Sequence, residues 1–330
     1  MQVSRYPILA AWFAGALTCN PLPGATTPAG GSVSVTQAPC GDHALPDAVP
    51  LGETVTFGDF VGALTEPIAR LDRGAMRPDY LELAARRGWD PDTDGLFDDY
   101  VRVRTLFEAT RDGGYWRLRW AITDREPSSS RIWQAWRNLP LREAFGHASA
   151  TAECDELSAL FALLARRVGV RSVGLFYPTW NHTIAAWAPH QLPRGRSRLV
   201  LVPTTQIFLG CADGLDTTSF RTALTSIGQY PRWDVRDTTP LPPSVARFLL
   251  EEVRVYGGTS SALQALLRAR RALAFGSSMG ACPEYRAELA RTLGTRLGCA
   301  DRAALRHFAE RELDRASASA EQVLEMLGAP

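Results

Sequence analysis

Thr151-Ala-Glu-Cys154-Asp-Glu-Leu-Ser-Ala-Leu-Phe-Ala-Leu-Leu-Ala-Arg-Arg-Val-Gly-Val170 is the stretch from which the fold is read. Leu157, Leu160, Phe161, Leu163, Leu164 and Val168 recur at helical spacing, and Gly169 ends the pattern. A helix is therefore predicted with Cys154 at its start. Ser172 to Tyr177 follows, β-branched and aromatic, and reads as a strand. Pro178 to Asn181 is a turn. His182 to Trp187 reads as a second strand and Arg198 to Val202 as a third. The order places a cysteine at a helix N-terminus and a histidine at the start of a nearby strand. The positive end of a helix favours thiolate, and an imidazole within reach can take a thiol proton. His147, in the small-residue loop before the helix, is a rival base. His43, His190 and His307 carry no partner pattern and read as surface or structural.

These residues resemble the transglutaminase-like superfamily. In that family a Cys opens a helix, a His opens the next strand as His-x-Trp, and an acid follows in a third strand as Asp-Pro-Thr. Cys154 and His182 match by order and context, and Ala165-Arg-Arg-Val-Gly-Val170 matches the helix exit. Two departures stand out: the tryptophan is displaced to Trp187, and Val202-Pro203-Thr204 replaces the acid with Val202. Gln206 then becomes the candidate to orient the imidazole, as a neutral amide does in papain-like enzymes. The match spans residues 140–210. It implies an α+β fold with the Cys-bearing helix on a small antiparallel sheet, and acyl transfer through a Cys154 thioester. For an exported bacterial member it implies amide or peptide hydrolysis. A second reading keeps the fold without catalysis, as a binding or scaffolding surface lipoprotein; Val202 speaks for it.

Export is read from the first residues. Arg5 and the apolar run Tyr6–Leu17 form a signal peptide over 1–18, too short to span a bilayer. Ala14-Gly-Ala16 is a small-x-small cleavage site, whereas Ala16-Leu-Thr-Cys19 resembles a lipobox that would acylate Cys19 and attach the chain to a membrane. Residues 19–50, rich in Pro, Gly, Ser and Thr, suit a tether. Residues 51–240 form the expected core and 241–330 a helical subdomain. If Cys19 is lipidated, Cys40, Cys154, Cys211, Cys282 and Cys299 remain, an odd set. Cys154 is then the natural free thiol, with Cys282–Cys299 and Cys40–Cys211 as one pairing. If Cys19 is retained, other pairings open, Cys19–Cys40 among them.

Asp90-Pro-Asp92-Thr-Asp94-Gly95-Leu-Phe-Asp98 has the opening of a calcium loop, with alternate hard oxygens and a glycine at the turn. Position twelve is Val101, which cannot coordinate, so the alternative is an Asp-rich start for a helix over Leu96–Thr110. A Ca²⁺ bound by Asp90, Asp92, Asp94 and Asp98 would be structural; the chemistry needs no cofactor. Helices are also predicted over Phe57–Leu71, Asp79–Arg87, Ser128–Trp136, Ser244–Tyr256, Ser260–Ala274, Pro283–Leu297, Arg302–Arg315 and Ala320–Leu327. Tyr115–Ile122 alternates and reads as a strand. The formal net charge is +1, with no basic block interleaved with aromatics, so no nucleic-acid partner is expected; a peptide or protein substrate is expected. Every basic residue apart from histidine is arginine, so the chain offers no lysine as an acyl acceptor for itself.

Overall fold

The computed structural model describes residues 50–123, 128–139, 148–179, 182–194, 198–205, 214–216, 235–274 and 283–327. The expected signal peptide, the tether, Cys19, Cys40, His43, His147, Gln206, Cys211 and Cys282 lie outside them. The fold is mixed: ten helices and seven short strands among the described residues.

A short strand β1 (Val55–Thr56) leads into α1 (Phe57–Arg70). Thr56 and Asp59 close that helix start reciprocally: Thr56 N–H donates to Asp59 Oδ2 at 2.9 Å and Asp59 N–H to Thr56 Oγ1 at 3.2 Å. Helix α2 runs over Met76–Arg87, starting earlier than predicted because Pro78 falls in the first turn, where a missing N–H costs nothing. Helix α3 (Leu96–Thr110) matches its prediction and starts from Gly95 at φ 70.

The expected strand over Tyr115–Ile122 shrinks to β2 (Leu118–Trp120), because Gly113 (φ 67) and Arg117 (φ 58) turn the chain first. After α4 (Ser130–Arg137), β3 (Ala150–Ala152) pairs with β2 in parallel, Trp120 opposite Ala152. That pairing delivers the chain to α5 (Cys154–Arg167). Glu153 N–H donates to Glu156 Oε2 at 2.9 Å, which binds the turn that carries the cysteine. Gly169, at φ 95, ends the helix as the sequence indicates.

Helix α5 lies on an antiparallel sheet of β4 (Val173–Thr179), β5 (His182–Trp187) and β6 (Val200–Val202), in that order. β5 opposes β6 with Ala185 facing Val202, Ala186 facing Leu201 and Trp187 facing Val200. The pleat sorts β5 into two faces. Ala185 and Trp187 join the main core, as do Val200 and Val202; Ile184 and Ala186 join Phe176, Ala188, Leu199 and Leu201 in a second apolar cluster. On the outer side of β6, Asp216 N–H donates to Leu201 O at 2.9 Å, and Arg87 grips the Asp216 carboxylate.

Strand β7 (Pro240–Leu241) pairs with β1 and opens the helical region α6 (Pro243–Tyr256), α7 (Ser261–Ala274), α8 (Pro283–Arg296), α9 (Cys299–Glu312) and α10 (Ala320–Met326). Helix α9 is shifted towards the N-terminus of its prediction. Its first turn is anchored by Asp301, whose carboxylate accepts Ser260 N–H at 2.8 Å, and Asp314 at φ 52 follows its end. One apolar core runs from Val55 to Leu327, so these helices share the interior of residues 51–240. Ion pairs cross the same boundary: Arg117 meets Glu312 at 3.4 Å and Arg268 meets Glu108 at 3.6 Å, while Arg271 meets Glu312 at 2.8 Å within the helical region. No helix among the described residues is long and apolar enough to cross a membrane.

Candidate active site

Cys154 is the first residue of α5, 9% exposed and free. Its neighbour across the helix–sheet contact is β5. The backbone N–H of Thr183, the residue after His182, donates to the sulphur, as does the N–H of Asp155. The sequence expectation of a thiolate at a helix N-terminus is corrected here. Burial pushes the thiol up, and the Asp155 and Glu153 carboxylates push it further, against the two N–H donors. Asp155 is itself raised to about 6, by burial first and then by the charges of Glu153 and Glu156. The acids that suit a helix start also hold the thiol proton in place.

His182 opens β5 and is 4% exposed. Burial drops its pKa to about 4, so the imidazole is neutral at physiological pH. Thiol and imidazole are thus brought to the same end of the sheet, since the Thr183 N–H that reaches the sulphur follows His182 on β5. The alternation along His182-Thr-Ile-Ala-Ala-Trp187 gives His182 the parity of Ile184 and Ala186, whereas Thr183 has the parity of the α5-facing Ala185 and Trp187.

The third position also changes. Val202 faces Ala185, well along the strand from His182. The ladder ends at Val202, and the bend that follows it brings Thr204 beside Thr183. Ser158 corroborates this, since its hydroxyl reaches both Thr183 O at 3.3 Å and Thr204 Oγ1 at 2.7 Å. Thr205 Oγ1 is buried with no hydrogen-bond partner. An acid at position 202 would not reach the imidazole in this register.

Other groups at the site were not singled out from sequence. Ser158 sits one helical turn below Cys154, a spacing that signals a shared face. Thr123 Oγ1 donates between Glu153 Oε2 at 3.1 Å and Glu156 Oε2 at 3.3 Å, which ties the β2 exit to the Cys turn. Trp120, in register with Ala152, keeps its indole N–H buried without an acceptor. Exposed Ile122 follows it, and exposed Tyr177 on β4 feels the charge of Asp155.

The acidic loop lies apart from this site. Asp90 Oδ1 accepts Asp92 N–H at 3.0 Å, Asp92 is 3.4 Å from Arg77, and Asp98 pairs with Arg73. Among the described residues no three ligating side chains are gathered to hold a metal ion, Asp90, Asp92, Asp94 and Asp98 included. Two of these carboxylates, Asp92 and Asp98, pair with arginine. Cys299 is disulfide-bonded. No protein-family model, curated protein or solved structure matches the chain.

Proposed function

We propose that this chain is a cysteine-dependent acyl-transfer enzyme, most simply an amide or peptide hydrolase with a transglutaminase-like core. The observation that carries the reading is the free Cys154 thiol at the first residue of α5, held against the Thr183 N–H beside His182. The resting pair is a neutral thiol and a neutral imidazole, so His182, which opens β5 beside the Thr183 donor, serves as general base during attack by turning towards the thiol or through one bridging water. The thiol proton passes to His182 as sulphur bonds to the substrate carbonyl carbon. The C–N bond then breaks and the proton goes to the leaving amine. Water attacks the thioester next, giving its proton through His182 to the departing sulphur. Cys154 N–H, which has no intrahelical acceptor at that position, and the Trp120 indole N–H are the donors for the developing oxyanion. Export and attachment through an acylated Cys19 complete the proposal; labelled fatty acid in wild type and none in Cys19→Ser tests that part.

The second reading, a non-catalytic binding protein, is favoured by the site itself: burial holds the thiol and the imidazole neutral, and the third-strand position that the family fills with an acid is Val202. The pH profile of Cys154 alkylation separates the two. General-base assistance gives a rate that levels off above pH 5, once the imidazole is neutral, and that loses this plateau in His182→Ala. A rate that simply tracks thiol ionisation, unchanged by His182→Ala, sinks the enzyme reading.

A further inference from the structure

The side chain one turn below the thiol links three elements. Ser158 Oγ lies 2.6 Å from Cys154 O, 3.3 Å from Thr183 O and 2.7 Å from Thr204 Oγ1, and Ser158 and Thr204 are both wholly buried. A hydroxyl has one proton to give. The 2.6 Å contact takes it to the Cys154 carbonyl, so Thr204 is the donor across the 2.7 Å contact. Thr204 is itself fixed, because its carbonyl accepts Asp112 N–H at 2.8 Å. A directed chain therefore runs from Asp112 and β6 through Thr204 and Ser158 to the backbone of the Cys turn, touching β5 at Thr183 on the way.

Helix packing alone does not ask for these hydroxyls. A serine inside a helix is worse than alanine unless its hydroxyl is used, and the back-bond to Cys154 O would be made without Thr204. The contact that packing does not explain is the one between helices and strands. We propose that Ser158 and Thr204 are a positioning pair, which sets the Cys154 thiol in register with the Thr183 N–H beside His182. The pair gives a purpose to the threonine of Val202-Pro203-Thr204, the part of that motif the chemistry leaves unused. The inference rests on the reading of Cys154 as the nucleophile, but its test does not require turnover.

The test is iodoacetamide alkylation of Cys154 in the full chain across pH 7 to 11, read by mass spectrometry, with near-ultraviolet circular dichroism as the control for native packing. Loss of the Thr183 donor leaves only the Asp155 N–H to oppose burial and the neighbouring carboxylates on the thiol, so ionisation moves to higher pH. Ser158→Ala and Thr204→Val are each expected to slow labelling at pH 8 by roughly 3- to 10-fold. The double variant should be no slower than the slower single one, and Thr204→Ser should restore the wild-type rate. Unchanged or faster labelling in the folded variants, additive losses, or failed rescue by serine would overturn the pair. So would loss of native packing in both single variants, since the hydroxyls would then serve the fold rather than the site. A chain that hydrolyses no amide yet shows the expected shifts would fail the functional reading and keep this one.

Discussion

His182 and Asp155 are perturbed in opposite directions by the same cause, and the consequences for stability have opposite signs. His182 has a folded pKa of about 4, below its ordinary 6.5, so the unfolded chain binds the proton more readily. Its contribution to stability is intact above pH 6.5 and is lost as pH falls through 4. Asp155 has a folded pKa of about 6, above 3.8, so the folded state holds its proton more tightly. Its burial costs stability above pH 6, and the cost is relieved as pH falls towards 3.8. Urea titrations at pH 7 and pH 4.5 check both. His182→Gln should recover about 1 to 2 kcal/mol of stability at pH 4.5 relative to wild type, a figure reduced for partial solvent contact. Asp155→Asn should recover up to about 1 kcal/mol at pH 7 and little at pH 4.5. Equal effects of either variant at both pH values would show that burial does not govern that group.

Helix α5 shows how far local sequence reaches. Its apolar stripe, the cysteine at its head and the glycine at its end are all local properties, and the structure places them where the sequence indicates. The strands β4, β5 and β6 were legible for the same reason. Their pairing register was not, because it is set by β-bulges and turns: β4 shifts register between Phe176 and Thr179, and Pro203 stops β6. Register decides that Val202 stands level with Ala185 rather than with His182, and parity decides which β5 side chains meet α5. Neither is encoded in a short motif. The same local logic gives a prediction for α1. Thr56→Ala removes the side-chain oxygen that receives Asp59 N–H and should lower stability by about 1 kcal/mol, measured as a drop in the urea midpoint with unchanged slope.

At the scale of the molecule, the illegible part was the buried charge. Arg104, Arg111, Arg117, Arg268 and Arg271 are each 3% exposed or less. Read along the chain, such residues belong to solvated helix faces, and only partners distant in sequence make their burial tolerable. Glu312 is the pivot: Arg271 and Arg117 hold its carboxyl below the usual range against the opposing effect of burial. The stability it supplies is full above pH 4.5 and lost as pH falls below that. Glu312→Ala removes the carboxylate that two buried guanidinium groups share and should cost roughly 3 to 5 kcal/mol, seen in thermal or urea unfolding. Ending the chain at Leu241 removes Glu312 and the α6–α10 side of the core together. Such a fragment is expected to lack a cooperative unfolding transition, and a cooperative melt would show that residues 51–240 fold alone.

The covered, protonated state of Cys154 has a chemical consequence of its own. Peroxide and other electrophilic oxidants attack thiolates that solvent can reach, and each step from sulfenic to sulfonic acid removes a nucleophile for good or for a time. A sulphur shielded from solvent and kept as the thiol offers little of that reactive form. Its lifetime under oxidising conditions should therefore exceed that of an exposed, acidic thiol. The geometry that delays the first step of acyl transfer until a substrate arrives is also what preserves the group for it.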